Sequence, residues 1–409
     1  MDSLNDWLAQ GTFFGELKTM TFFKTYEGII DDKRTHSFGG EFQYRSADLH
    51  GFSFGVGEYS AYNFGLNPSN PDETEGYVPS DNITMIGKAF LRYRGAGFDL
   101  KGGRIGLDTP FANEGDGRTM IPALYEGFGG TYALPFNPDI KVYGYRIFRF
   151  KPFSEDSFIE GDAGNPEIPE TDTPQTDSNG FATAGVRWGH RYGANAEAWY
   201  YNFDKRLQLA YAGFQMPLDS LKMDSWTPFW ALQYVKEWDV SDQTAPFENV
   251  DTDLYSGRIG INSRHDKIYL AATYVPHKDD AFLSGAYVAP YSYGIYNSTP
   301  IEDGQPLASL ATKDQPGRSY SLRYVHHDDK LLAVLGLTRF ELEESTGINY
   351  PLDESEFNAG FVILGYNVTD RFGLQFEGDY IDSDSDVTGA YHAERIRITY
   401  KLGHAPGHG

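Results

Sequence analysis

Two lengths of connector alternate along this chain, and that alternation limits its fold more than any single motif does. Tight turns stand at Ala47–His50 (ADLH), Gly95–Gly97 (GAG), Asn137–Asp139 (NPD), His265–Lys267 (HDK), His327–Lys330 (HDDK) and Asn367–Asp370 (NVTD). Each carries the Gly, Asn, Asp or Pro chemistry of a hairpin. Long connectors fall near residues 63–82, 107–126, 150–180, 239–252, 276–317 and 342–355.

The segments between them alternate apolar and polar residues over runs of about nine to thirteen residues, the period of a strand with one apolar face. Phe38, Gly40, Phe42 and Tyr44 oppose Glu41, Gln43 and Arg45. Met85, Ala89, Leu91 and Tyr93 oppose Lys88, Arg92 and Arg94. Tyr255, Ile259 and Ile261 oppose Ser256, Arg258 and Asn262, while Ile396, Ile398, Tyr400 and Leu402 oppose Arg395, Arg397 and Thr399. The pattern predicts about eighteen strands in an all-β, antiparallel up-and-down barrel that crosses a membrane.

Backbone chemistry supplies the reason. An unpaired amide in lipid costs several kcal/mol, so a sheet spans a bilayer only by closing on itself. About ten residues per tilted strand cross the hydrocarbon layer, which matches these runs. Tyr26, Tyr62, Trp188, Trp238, Tyr274, Tyr324, Tyr380 and Tyr400 lie near strand ends, as interfacial girdles require. A soluble propeller or double sandwich is the competing fold, but no repeat of blade length is present.

Composition agrees. The 409 residues include 29 Phe and 29 Tyr, no Cys, and no apolar run of membrane-helix length, Leu331–Leu337 (LLAVLGL) being among the longest. Without cysteine there is neither a disulfide framework nor thiol chemistry. A net charge of −24 speaks against nucleic acid as a partner. The opening MDSLNDWLAQG lacks the basic and apolar regions of a signal peptide, as expected of a mature or non-exported chain. The expected layout is a short periplasmic segment (residues 1–10), a barrel (11–402) and a tail (403–409). Leu4, Trp7 and Leu8 would sit on one amphipathic turn-and-a-half against the periplasmic rim, capped by Asp2 or Ser3 and ended at Gly11.

Charge is sorted between loops and strands. The segment Ser154–Asp177 holds acids and no base, and the other long connectors are similar. Bases punctuate the strand faces opposite the apolar residues: Arg45, Lys88, Arg92, Arg104, Arg187, Arg258, Arg323, Arg395 and Arg397. With the apolar face against lipid, these point into the lumen, together with acids such as Glu41, Glu377 and Asp379. Two readings stay open: a solvated wall of counter-paired charges, or a basic track for anions through Lys88, Arg92, Arg104, Arg258, Arg323, Arg395 and Arg397.

A barrel of this size passes water, so selectivity needs something inside it. The connector between the fifth and sixth strands, and so the third at the long-loop end, is the candidate: LDTPFANEGDGRTMIPALYEGF from Leu107. Folded inward, it would set Asp108, Glu114, Asp116 and Arg118 opposite the wall bases, and the transverse field would orient dipolar solutes. From these residues alone, a loop that stays outside is an equal alternative.

This stretch resembles the third loop of the OprD-type substrate-specific porins of Gram-negative bacteria. Leu107, Thr109 and Pro110 match the first element of that loop, Asp116 and Arg118 the second, and Pro122, Tyr125, Glu126 and Gly127 the third. Arg395 and Arg397 look like part of the family's basic ladder. The resemblance implies an eighteen-stranded monomeric barrel, an inward third loop narrowing the lumen at Asp108, Glu114, Asp116, Arg118 and Tyr125, and uptake of small carboxylates such as amino acids or aromatic acids.

Expected partners are small, mainly anionic solutes and the lipid and lipopolysaccharide of a bacterial outer membrane; a trimer is the alternative to a monomer. No enzyme, cofactor or metal is expected. The tail HAPGHG (His404–Gly409) reads as inert and His326–His327 as solvated, and Asp382–Asp386 lacks the spacing of a calcium loop. Neighbouring strands supply no Ser–His pair for a hydrolase. An adhesive or structural barrel is the second function class and an outer-membrane hydrolase the third.

Overall fold

The computed structural model describes residues 4–74, 78–114, 119–153, 155–160, 178–189, 193–240, 249–288, 310, 313–347, 351–382 and 389–403. Among these, nineteen strands share one sheet. In chain order they are β1 (Thr12–Tyr26), β2 (Lys33–Arg45), β3 (Phe52–Tyr62), β4 (Ile83–Gly95), β5 (Phe98–Ile105), β6 (Leu124–Leu134), β7 (Asn137–Lys151), β8 (Ile159–Glu160), β9 (Phe181–Gly189) and β10 (Asn195–Phe203). They continue as β11 (Leu207–Pro217), β12 (Thr227–Trp238), β13 (Asp251–Asn262), β14 (Asp266–Val275), β15 (Gly317–His327), β16 (Leu331–Leu342), β17 (Ser355–Asn367), β18 (Phe372–Asp382) and β19 (Tyr391–Leu402). β8 is a two-residue strand against the end of β7. The other eighteen make the wall, all antiparallel.

Closure is made by β1, which pairs with β2 on one side and β19 on the other, Gly15 opposite Leu402 and Tyr26 opposite Tyr391. An even strand number returns the chain to the end it started from, so both ends of the wall lie with the short turns. The alternation of connectors has two exceptions. Residues 204–206 make a tight turn at the long-loop end, and residues 218–226, with a 3₁₀ turn at Asp219–Leu221, make a longer one at the short-turn end.

Alternation along each strand sets the two faces. Phe42, Leu91, Leu232, Ile259, Leu322 and Leu337 are exposed on the outside. Gln43, Arg92, Gln233, Ser321 and Thr338, each next to one of these, are buried on the inside, as is Ser256 of β13. No helix among the described residues is long and apolar enough to cross a membrane.

One bulge corrects the reading of β4. Gly57 of β3 pairs with Lys88, but the next residue, Glu58, pairs with Ile86, so Gly87 is the extra residue. Gly87 and Lys88 both turn inward, and a Cβ on Gly87 would lie 2.5 Å from the Tyr59 ring. Below the bulge the phase reverses: Ile86 is exposed outside, and Met85, expected on the lipid face, packs inward beside Tyr59. An extra residue in a strand has this effect because the side-chain period is two.

The short helix α1 (Leu4–Ala9) folds back on the short-turn end. Trp7 stands edge-on to Phe54 at 5.2 Å and donates from Nε1 to the Phe52 carbonyl at 3.1 Å. Tyr44 shares the outer face and donates its hydroxyl to the Leu8 carbonyl at 2.5 Å. Leu8 itself is exposed. Asp2 and Ser3 lie outside the described residues. The β15–β16 turn shows how such a connector is held. Asp328 accepts the Leu331 and Lys330 amides at 2.7 and 2.8 Å, which holds its carboxyl at about 2. A lowered folded-state pKa stabilises the turn above the ordinary carboxylate range, and that contribution is lost as pH falls through about 2. His326 is not freely solvated: it lies 2.8 Å from Asp266 and 3.4 Å from Asp328.

The face assignment is directly testable. Leu337→Arg, at the middle of β16, should lower unfolding stability in phospholipid vesicles by roughly 2–4 kcal/mol, the cost of arginine near a bilayer midplane. Thr338→Arg points into the lumen and should cost far less. In urea titration, a larger loss for Thr338→Arg than for Leu337→Arg would mean that the two faces were assigned the wrong way round.

Candidate functional site: the loop-crossed lumen

The third loop leaves β5 and folds inward. Its first half is braced locally. Thr109 donates from Oγ1 and from its amide to the Ala112 carbonyl at 2.6 and 3.2 Å, and the Glu114 amide donates to the Leu107 carbonyl at 3.1 Å. Asp108 and Asn113 form an isolated antiparallel bridge, and the Tyr125 hydroxyl donates to the Asn113 carbonyl at 3.1 Å. Leu107, Thr109 and Tyr125, which carry the family resemblance, are thus the buried frame of the loop tip. Pro110 suits this turn because its fixed φ presets the corner.

Packing then carries the tip across the lumen. Phe111 is buried edge-on to Tyr201 and Tyr211 at 5.7 and 5.3 Å, and its amide points to the Tyr201 hydroxyl at 3.4 Å. Those tyrosines belong to β10 and β11. The loop's return half packs elsewhere: Met120 and Ile121 are fully buried with Met20, Phe22, Tyr59 and Ala61 of β1 and β3. Lys18 of β1 also donates to the Thr119 carbonyl at 3.3 Å. One loop therefore touches two separated parts of the inner wall.

Its acids meet wall bases. Glu114 pairs with Lys88 at 2.8 Å. Asp108, almost fully exposed, lies 3.7 Å from Arg187 of β9, which also pairs with Glu197 at 2.8 Å and sits over the Trp199 ring. Asp116 and Arg118 lie outside the described residues.

The other expected bases fall as follows. Arg92 is held by Asp99 through Nε at 2.6 Å, and Arg395 by Glu377 at 3.1 Å with both side chains buried. Arg258 donates to Gln215 at 2.9 Å, Arg397 donates to Gln375, and Arg323 stacks over Phe361 at 5.2 Å. All five face inward. Arg104 does not. It shares the parity of Phe98 and Leu100 on β5 and pairs opposite Ala89, on the outer face of β4. It bonds there to Glu126 at 3.1 Å, with Arg149 on the other side of that carboxylate at 3.8 Å. Counting by twos from Phe98 places Arg104 outside, so it leaves the expected lumen track.

Two contributions were missed in the sequence. Tyr287 and Leu310, from the connector between β14 and β15, are buried in the same cluster as Phe111, with Tyr287 6.1 Å from its ring. That connector is pinned by the Val288 amide donating to Glu237 at 3.0 Å and by Thr252 donating to the Ala286 carbonyl at 2.7 Å. The apolar run AFLSGAYVAP within an otherwise polar loop was the available signal. The second is Lys101 of β5, which with the expected inward bases Arg45, Arg92 and Arg94 surrounds Asp99 and which Glu114 also reaches. Among the described residues, no group of three or more His, Asp or Glu side chains is placed to hold a metal.

Comparison with known proteins matches the geometry. No family model and no curated protein sequence matches the chain. Solved structures do. Acinetobacter baumannii OccAB3 is 14% identical, with TM-score 0.74 over 97% of this chain and 100% of that one. Pseudomonas aeruginosa OccK9 (OpdG) is 13% identical, with TM-score 0.73 over 97% and 100%. Pseudomonas aeruginosa OccK2 (OpdF), solved with glucuronate, is 14% identical, with TM-score 0.70 over 98% and 100%.

Removing the ring that carries the tip across should free it. Phe111→Ala should cost about 3 kcal/mol of local packing and open the loop to protease cleavage near Glu114. Barrel migration on unheated gels should stay unchanged. Resistance equal to the parent's would mean that the hydrogen-bonded frame alone holds the loop. In fold, this chain is an eighteen-stranded barrel of the Occ porin type, as its OprD-type resemblance implies.

Proposed function

We propose that the chain is an outer-membrane pore for passive, partly selective diffusion of small organic anions, chiefly carboxylates, through a lumen narrowed by the third loop. The observation that carries this reading is Arg45. Its Nε and Nη1 are buried and find no hydrogen-bond acceptor among the described residues. Arg92 and Arg94 lie within electrostatic reach of it, and Asp99, which Lys101 also faces, is the acid beside them. A guanidinium left with unused donors in a basic wall favours a planar, bidentate anion.

The paired bases support the same reading differently. Lys88, Arg92 and Arg395 are each answered by a carboxylate, so they bind weakly, and weak successive sites allow flux where a deep well would trap the solute. The acidic outer loops oppose anions at long range but are screened beyond about 10 Å at 0.1 M salt, whereas a confined wall is screened less. Glucuronate and vanillate, bound by OccK2 and OpdK of Pseudomonas aeruginosa, are carboxylates of suitable size.

Planar-bilayer recordings provide the test. The parent should favour anions in a salt gradient and be blocked by benzoate or glucuronate. Arg45→Gln should lower carboxylate flux roughly fivefold, the worth of about 1 kcal/mol, with neutral sugar flux little changed. Arg395→Gln with Arg397→Gln should act in the same direction but more weakly, because Glu377 already answers Arg395. A strongly cation-selective parent with no carboxylate block would sink the proposal.

A further inference from the structure

On the outer face of the barrel, two adjoining depressions of about 760 and 820 Å³ share Leu232, Gly257, Ala272 and Tyr320. Strand register makes their floor. Gly257 of β13 stands directly opposite Ala272 of β14, so two neighbouring strands present nothing larger than a methyl at one level. Leu232 of β12 and Tyr320 of β15 bound the floor on either side, a span of roughly 14 Å across three strand spacings. The next outward pair toward the short turns is Ile259 with Leu270; toward the long loops it is Tyr255 with Tyr274. The depression is therefore apolar at its inner end and hydroxyl-bearing at its outer end.

A cation stands at that outer end. Arg318, the second residue of β15 from the long-loop side, is exposed and lies over the Tyr274 ring at 5.1 Å. Glu341 is opposite it on β16, yet among the described residues no ion pair to Arg318 forms. Its neighbour Arg339 is instead committed to Glu356. An arginine without a carboxylate, at the height where the wall changes from apolar to hydroxyl-bearing, has the placement that an acylated phosphate requires.

We propose that this surface seats a lipid A molecule of the outer leaflet, one phosphate on Arg318 and an acyl chain across Gly257 and Ala272. Two adjoining depressions give room for more than one chain, and Arg318 stands at the long-loop end of the wall, level with the leaflet in which lipid A rather than phospholipid supplies the phosphates. The site lies on the outer wall, apart from the lumen. It rests on the outer-membrane placement proposed above and is independent of the solute.

Native mass spectrometry of the full chain folded in detergent micelles, titrated with diphosphoryl lipid A, reads the site. The parent should retain one lipid A per barrel. Arg318→Gln and Ala272→Phe should each weaken binding about tenfold, equivalent to about 1.4 kcal/mol, with unheated gel migration and single-channel conductance unchanged. If Ala272→Phe fails to fold, Gly257→Leu fills the same floor, where an added Cβ first meets the flexible Leu232 side chain at 3.3 Å. Unchanged lipid A binding in the variants overturns the site. Equal affinity for phosphatidylglycerol overturns the assignment to lipid A. Loss of a dimer or trimer in the variants, with lipid binding unchanged, would show that a second copy covers this face instead.

Discussion

Every feature of this molecule depends on one seam of backbone hydrogen bonds, the pairing of β1 with β19. A sheet in lipid has no water to satisfy an open edge, so an unclosed sheet would lose several kcal/mol for each stranded amide or carbonyl. Twelve residues of β1, from Gly15 to Tyr26, meet a partner on β19. Closure makes inside and outside distinct. Only then does a period-two sequence acquire a meaning: one set of side chains belongs to lipid and the other to a lumen.

The lumen is not the evenly polar space that strand alternation alone suggests. Its β6–β11 side carries Tyr125, Phe150, Phe181, Trp199, Tyr201 and Tyr211 pointing inward, and these are what the third loop packs against. Aromatic residues are therefore spent on both faces. Outside they meet lipid and its interface; inside they give the loop a surface on which apolar burial offsets the entropy of ordering it. Charge completes the attachment, with Glu114 and Asp108 answered by Lys88 and Arg187 on different strands. A loop held by rings at its tip and by ion pairs beside it is positioned more firmly than either would manage alone, since exposed ion pairs contribute about 1 kcal/mol at most.

How much of this was legible in the chain depends on the range of the interaction. The strands, the turn chemistry, the even count and the lipid-facing residues follow from local periodicity, because each reflects one residue and its neighbours two positions away. Arg104 was legible too. Its step from Phe98 and Leu100 places it outside, whatever the appeal of an arginine in the lumen. The bulge at Gly87 was not legible, because an extra residue in β4 has meaning only against its partner β3. That insertion alone moved Met85 from lipid to lumen.

The sequence by itself determined a closed antiparallel barrel with both ends at the short turns, since lipid permits no other arrangement of period-two strands. It also marked the third loop, through Leu107, Thr109, Pro110 and Tyr125. Tertiary structure alone decided which residues that loop would touch: Tyr201 and Tyr211 lie some ninety to a hundred positions from Phe111 in the chain, and Tyr287 farther still. It likewise decided that Gly257 and Ala272 share one level of the outer wall, and that Arg45 joins Arg92 and Arg94 beside Asp99. Local pattern records the environment each side chain needs. Which distant side chains provide that environment is set by strand register and barrel closure, and these exist only once the sheet has formed.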